Sequence, residues 1–308
     1  MDIFLQQLVN GLVLGSVYAL VALGYTMVYG ILGLINFAHG EITMMGAMVA
    51  LAVVGALSGG ALPAPLVLAA GLALAVAACM ALGATIERVA YRPLRNAPRL
   101  APLITAIGVS IVLQNTAMMI WGKQYISFPP AMLPQGRHEF LGAHVTDVQI
   151  AILVVTLVVL AGLTLLVRNT SLGRAMRATA QSRQVASLMG VDVNRTIAAT
   201  FVIGSALAAV AGVMVSAYYG LAHYYMGFML GLKAFSAAVL GGIGHLGGAM
   251  LGGLLLGLIE SFGAGYIGDL TGGFLGSHYQ DVFAFFVLIA VLVLRPSGLL
   301  GARMTERA

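Results

Sequence analysis

The chain has 308 residues, of which 60% are hydrophobic and only 8% charged, far below the roughly 25% charge of a soluble domain. That balance excludes a soluble enzyme or a nucleic-acid-binding module, so the formal charge of +5 is read as a membrane-orientation signal. The single cysteine, Cys79, excludes an intrachain disulfide and a metal site built on cysteines.

The predicted fold is all-α: a polytopic transmembrane helical bundle forming one membrane domain over 1–308. Its 40 glycines suit close helix packing in lipid. The N-terminal "MDIFLQQLVNGLVLG" has neither a basic leader nor a small-residue cleavage site, and is read as a retained first span. A hydrocarbon core of about 30 Å needs roughly 20 apolar residues per helix. Eight runs meet or approach this: 5–29, 41–58, 64–86, 101–121, 148–167, 197–219, 247–267 and 279–294. A ninth, 228–241, is too short to cross and is predicted to dip in and return through "GGIGHLGG". Basic residues follow the third span (Arg88, Arg92, Arg95, Arg99), fill 168–196 (Arg168, Arg174, Arg177, Arg183, Arg195) and follow the last span (Arg295, Arg303, Arg307). The positive-inside rule places these three groups in the cytoplasm, with the N-terminus outside and the C-terminus cytoplasmic.

Within this apolar chain "INFAHGE" (35–41) is anomalous, because Asn36, His39 and Glu41 fall in six positions. A carboxylate at the centre of a spanning helix costs about 2.5–3.5 kcal/mol. Broken backbone at membrane depth is tolerated only inside protein or beside a watery cavity. Two readings stand: a short cytoplasmic turn with Glu41 capping a helix, or a re-entrant break lining a substrate path. The candidate path residues are Asn36, Phe37, His39, Gly40 and Glu41, with Gly241, Gly242, Gly244 and His245 of the glycine-rich turn. That turn has the letters of a dinucleotide fingerprint but no βαβ context, and is read as a tight structural turn. Lys233 is expected to snorkel and Glu260 to tie helices together. G-x-x-x-G pairs at Gly11/Gly15, Gly248/Gly252 and Gly253/Gly257 mark helix contacts.

The segment 168–196 is the one sizeable cytoplasmic connection. Its middle, Arg174 to Met189, is a helix former with Val185, Leu188 and Met189 to one side and Gly190 as a stop. It is read as a helix lying on the membrane or inserted into a groove of a soluble partner. No P-loop, H-E-x-x-H or G-x-S-x-G occurs, so the chain is not expected to be an enzyme.

The chain resembles LivH-type permeases, membrane subunits of ATP-binding-cassette importers for branched-chain amino acids. The resemblance rests on "YALVALGYTMVYGILGLINFAHGE", "ERVAYRPLR", "ITAIGVSIVLQN", "TFVIGSALAAVAGV", "GLKAFSAAVLGGIG" and "RPSGLLG". It implies a multi-pass protein of the bacterial inner membrane, surrounded by lipid and without nucleic acid. It also implies a second permease of LivM type, two ATPase subunits that hold the ATP and Mg, and a periplasmic binding protein delivering cargo. No cofactor is implied in this chain. The coupling segment would present Arg174, Arg177, Ala180, Gln181, Leu188 and Gly190 to the ATPases, Gln181 standing where the family carries an acid. Alternatives are a urea or amide importer permease, and a stand-alone channel or secondary transporter.

Overall fold

The computed structural model describes residues 2–95, 97–98, 100–140, 142–270, 279–295 and 297–301. Arg99, Arg303 and Arg307 of the basic clusters lie outside the described residues.

At the centre is α1 (Asp2–Leu32), 31 residues long. Buried residues make up 89% of its apolar stretch, so protein, not lipid, surrounds it. It is antiparallel to α10 (Leu246–Leu270). Gly11 and Gly15 meet the backbone of Leu258 and Leu254, while Gly253 and Gly257 meet Ala19 and Gly15. The G-x-x-x-G pairs therefore do mark contacts, because only a missing Cβ lets two backbones approach this closely. Around this pair lie α2 (His39–Leu57), α8 (Val193–Tyr219) and α9 (Met226–Gly241). The outer helices are α3 (Ala64–Ile86), α4 (Leu100–Trp121) and α5 (Asp147–Asn169). Only 28%, 22% and 22% of their apolar stretches are buried.

Among the described residues seven helices, where the sequence suggested about eight, are long and apolar enough to cross a membrane. The last run forms α11 (Gln280–Leu294), whose 15 residues reach roughly 22 Å at about 1.5 Å each. The bundle is not wholly helical. Ile126–Ser127 (β1) pairs antiparallel with Leu221–Ala222 (β4), and Arg137–Phe140 (β2) with Ala143–Thr146 (β3). These ribbons gather at the end that holds the start of α1, where Gln6 and the backbone of His144 exchange two hydrogen bonds of 3.1 and 2.8 Å.

The other end is basic. After α3 the chain tightens into a π-turn, Glu87–Tyr91, then a 3₁₀ turn, Arg92–Leu94. There Arg95 is ion-paired with buried Glu87 and donates to Asn194 at the start of α8. Two short helices follow α5 at the same end: α6 (Ser171–Gln181) and α7 (Arg183–Leu188). The single helix expected over 174–189 is thus broken. Ser182 leaves helical geometry and its hydroxyl accepts from the Val185 N–H at 3.3 Å, starting a second helix.

Arg183 joins α7 to α1. Its Nε donates to the Ile31 carbonyl at 3.2 Å and Nη2 donates to that of Leu32, satisfying carbonyls at the end of α1 that have no intrahelical partner. Burial first, and the like charge of Arg95 second, lower its pKa below the ordinary arginine value. Arg183→Ala is expected to remove about 1.5–3 kcal/mol. The check is a fall of several degrees in the apparent melting temperature of the purified protein, with Arg183→Lys recovering part of it.

Candidate functional site

Gly33 turns the chain at φ +64° after α1. The Asn36 side chain then organises the break. Its Oδ1 accepts from the Ala38 N–H at 3.1 Å and from the Tyr91 hydroxyl at 2.9 Å. Helix α2 begins at His39, level with Gly24 of α1, on whose missing Cβ the imidazole lies. Gly24 precedes Leu32 by eight residues, so the break reaches roughly 12 Å into the bundle. The Tyr25 ring meets His39 edge-on at 4.8 Å between centroids.

Glu41 does not cap its own helix. Its Oε1 accepts from Ser110 Oγ at 3.1 Å and from Gln114 Nε2 at 2.6 Å, both on α4. The other oxygen faces the backbone of Gly227, while Gly40 packs on Gly227 and Gly231 of α9. Asn36, His39 and Glu41 are all buried, and Phe37 is half-buried. Of the seven buried side-chain polar atoms without a hydrogen-bond partner among the described residues, three belong to this break: Asn36 Nδ2, His39 Nε2 and Glu41 Oε2. Buried polar groups are ordinarily satisfied, so these three are exceptions gathered in one six-residue stretch. Phe37→Cys is expected to react with a water-soluble maleimide at least fivefold faster than His39→Cys. Equal rates would show that the break opens to water.

The second break joins α9 to α10. Gly242 and Gly244 have φ of +104° and +93°. The Leu299 and Leu300 N–H groups donate to the carbonyls of Leu240 and Gly241 at 2.9 and 3.0 Å, so the C-terminal segment closes over the turn. His245 Nδ1 accepts from the Gly248 N–H at 2.9 Å. Gly244 approaches Gly30. Both breaks therefore abut α1. A cleft of about 620 Å³ opens beside this turn, lined by Gly244, His245, Arg168, Arg177 and Leu163. The glycine pattern follows helix α9 directly and leads into α10, so it sits in no βαβ unit.

Helix α6 buries Gly173, Met176 and Thr179, while Arg174, Arg177, Ala180 and Gln181 are exposed. On α7 and just after it, Leu188 is 86% and Met189 80% exposed, beside exposed Val185 and Gly190. Val185, Leu188 and Met189 thus form an exposed apolar tip at this basic end.

Lys233 corrects an expectation. It does not snorkel, because two carboxylates hold it inside the protein. Its Nζ lies 2.7 Å from Glu260 Oε1 and 2.8 Å from Asp281 Oδ1, and the Tyr18 hydroxyl donates to Glu260 Oε2 at 2.9 Å. Sequence reasoning missed Asp281, Tyr91, Ser110 and Gln114 as partners. The only signal was their polarity inside or beside apolar runs. No group of three metal-ligating side chains occurs among the described residues.

Residues 7–292 match the family model described as "Branched-chain amino acid transport system / permease component". The chain is 49% identical to the high-affinity branched-chain amino acid transport system permease protein BraD of Pseudomonas aeruginosa, over 99% of this chain and 98% of that one. It is 47% identical to the permease protein LivH of Escherichia coli K12, over 99% and 97%. The autoinducer 2 import system permease protein LsrC of Klebsiella pneumoniae is 32% identical over 63% of this chain and 55% of its own length. No solved structure matches.

Proposed function

Since the chain belongs to the family of permease components of branched-chain amino acid transport systems, we propose that it forms one membrane half of an ATP-driven importer for these amino acids. It is a multi-pass membrane permease, and ATP hydrolysis belongs to other subunits. The observation that carries the reading is the family match along 7–292, joined to end-to-end similarity with BraD and LivH.

The whole chain acts as one permease domain, with 168–196 as its coupling loop. A second permease of LivM type completes the pathway, two ATPases dock at the basic end, and a periplasmic binding protein loads the other. The clustering of Arg88, Arg92, Arg95, Arg168, Arg174, Arg177, Arg183 and Arg195 toward one end supports placing that end in the cytoplasm. The apolar tip Val185, Leu188 and Met189 supports an ATPase groove as its destination. Arg183, gripping the end of α1, makes α7 and the core helix move together. ATPase closure shifts the permease between inward- and outward-facing states only if the ATPases bind the two states differently.

The amino acid passes near both breaks. The 36–41 segment forms a buried polar wall, and the cleft at Gly244 and His245 is the cytoplasmic mouth. The test is uptake by the reconstituted importer with its cognate binding protein, against leucine, isoleucine, valine, alanine and urea. Saturable, ATP-dependent uptake of the branched-chain amino acids is expected. Uptake that persists without an ATPase, or is confined to urea, overturns the reading.

A further inference from the structure

Helix α4 has two unlike faces. Pro102, Ala106, Ser110, Leu113 and Ala117 are buried, and on this inner side Ser110 and Gln114 hold Glu41 of the first break. The opposite face carries Ile104, Gly108, Ile111, Asn115 and Met119, all exposed, at the spacings of three and four residues that align positions along one side of a helix. Two of these residues are foreign to a lipid-facing surface. Asn115 lies about 7 Å from the midpoint of α4, inside a hydrocarbon half-thickness of about 15 Å. Its Nδ2 donates to the Ile111 carbonyl at 2.8 Å, while its Oδ1 accepts from nothing among the described residues. At that depth neither acyl chains nor water offer it a donor. A Cβ added at Gly108 would meet nothing within 4 Å, so the backbone lies bare toward the outside there. The other rim helices, α3 and α5, expose no amide side chain away from their ends.

We propose that this outer face of α4 is the seam on which a transmembrane helix of the second permease docks. The inference rests on the importer reading, which supplies a second permease but not the surface that meets it. Gly108 lets the incoming backbone approach closely, and a hydrogen-bond donor on the incoming helix satisfies Asn115 Oδ1. Small residues and single amides are what hold helices together in lipid, where apolar side chains gain little by pairing. Ile104, Ile111 and Met119 pack along the seam, and Ile107 and Ile120 at its flanks stay in lipid. Because the inner face of α4 grips Glu41, the seam lies one helix thickness, about 10 Å, from the 36–41 break. Pairing on α4 therefore brings that polar wall beside the boundary between the two permeases.

The experiment is photo-crosslinking in the intact importer, in its membrane, with p-benzoylphenylalanine in place of Ile111. Illumination is expected to give a covalent adduct that mass spectrometry identifies as this chain joined to the second permease. Adding Gly108→Phe should lower the adduct yield at least fivefold and uptake at least tenfold. Gly162→Phe on α5, where an added Cβ likewise meets nothing within 4 Å, should leave both unchanged. Asn115→Leu, which keeps the volume and loses the amide, should lower the yield at least threefold. The open space at Gly108 means that the Gly108→Phe chain should keep its monodisperse peak in size-exclusion chromatography, so loss of adduct reports pairing and not folding. Should it lose that peak, Asn115→Leu decides alone. An adduct to a second copy of this chain, or to lipid only, overturns the seam, as does an undiminished yield in either variant. If no second permease copurifies with the wild type, the importer reading falls instead.

Discussion

Gly257→Leu is expected to leave little folded permease in the membrane. A side chain there would enter the backbone of Gly15 and the Gly11 carbonyl, and no flexible neighbour can give way. Overpacking a core ordinarily costs about 1–3 kcal/mol. Here two central helices must separate along their glycine seam, so the loss should exceed that range and consume much of a stability of about 5–15 kcal/mol. Fluorescence-detected size-exclusion chromatography measures it: the monodisperse peak should fall by more than fivefold. Gly55→Leu on α2, where an added Cβ meets nothing within 4 Å, serves as the control and should behave as wild type. A normal peak for Gly257→Leu would refute the account of the α1–α10 contact.

The second large effect is functional. Leu188→Asp combined with Met189→Asp should abolish ATP-coupled uptake while leaving insertion and the melting temperature intact. Both side chains are almost fully exposed, so nothing inside the chain is lost. Burying two carboxylates in an apolar partner groove removes anchors of the kind worth 2 kcal/mol or more at interfaces, which is roughly thirtyfold in affinity. The measurements are ATPase copurification and binding-protein-stimulated hydrolysis. Acidic replacements of Arg177 and Gln181, on the exposed face of α6, should weaken coupling in the same direction. Normal uptake by the Leu188/Met189 variant would remove the docking role of α7.

Hydropathy made the helices legible because lipid imposes length and composition together. The 64–86 run coincides with α3 residue for residue, and most other runs differ by a few residues at each end. The polar anomaly at 36–41 was legible as a break for the same reason. What sequence could not give was pairing across distance. Glu41 with Ser110 and Gln114, Asn36 with Tyr91, and Lys233 with Asp281 are contacts between residues 55 or more apart or on helices whose rotation no periodicity fixes. The break between α6 and α7 was missed for a local reason. Ser182 in "AQSRQV" is a good N-cap, but Ala, Gln and Arg around it read as continuous helix. The 279–294 run likewise matches α11 to within one residue, and what it overstated was its length, since 15 residues fall short of a full span.

The sheathing of α1 sets how the bilayer acts on this protein. Its 31 residues extend roughly 46 Å, well beyond a hydrocarbon core of about 30 Å. A lipid-facing helix of that length would have to tilt or deform the membrane. With neighbours covering it, α1 escapes that mismatch, and acyl-chain thickness presses on α3, α4 and α5 instead. A thinner or thicker membrane would therefore tilt the rim first. The axis feels it through side chains that bridge the two, such as Gln149 of α5 donating to Asn10 of α1 at 3.1 Å, and through α2, whose Glu41 reaches Ser110 and Gln114.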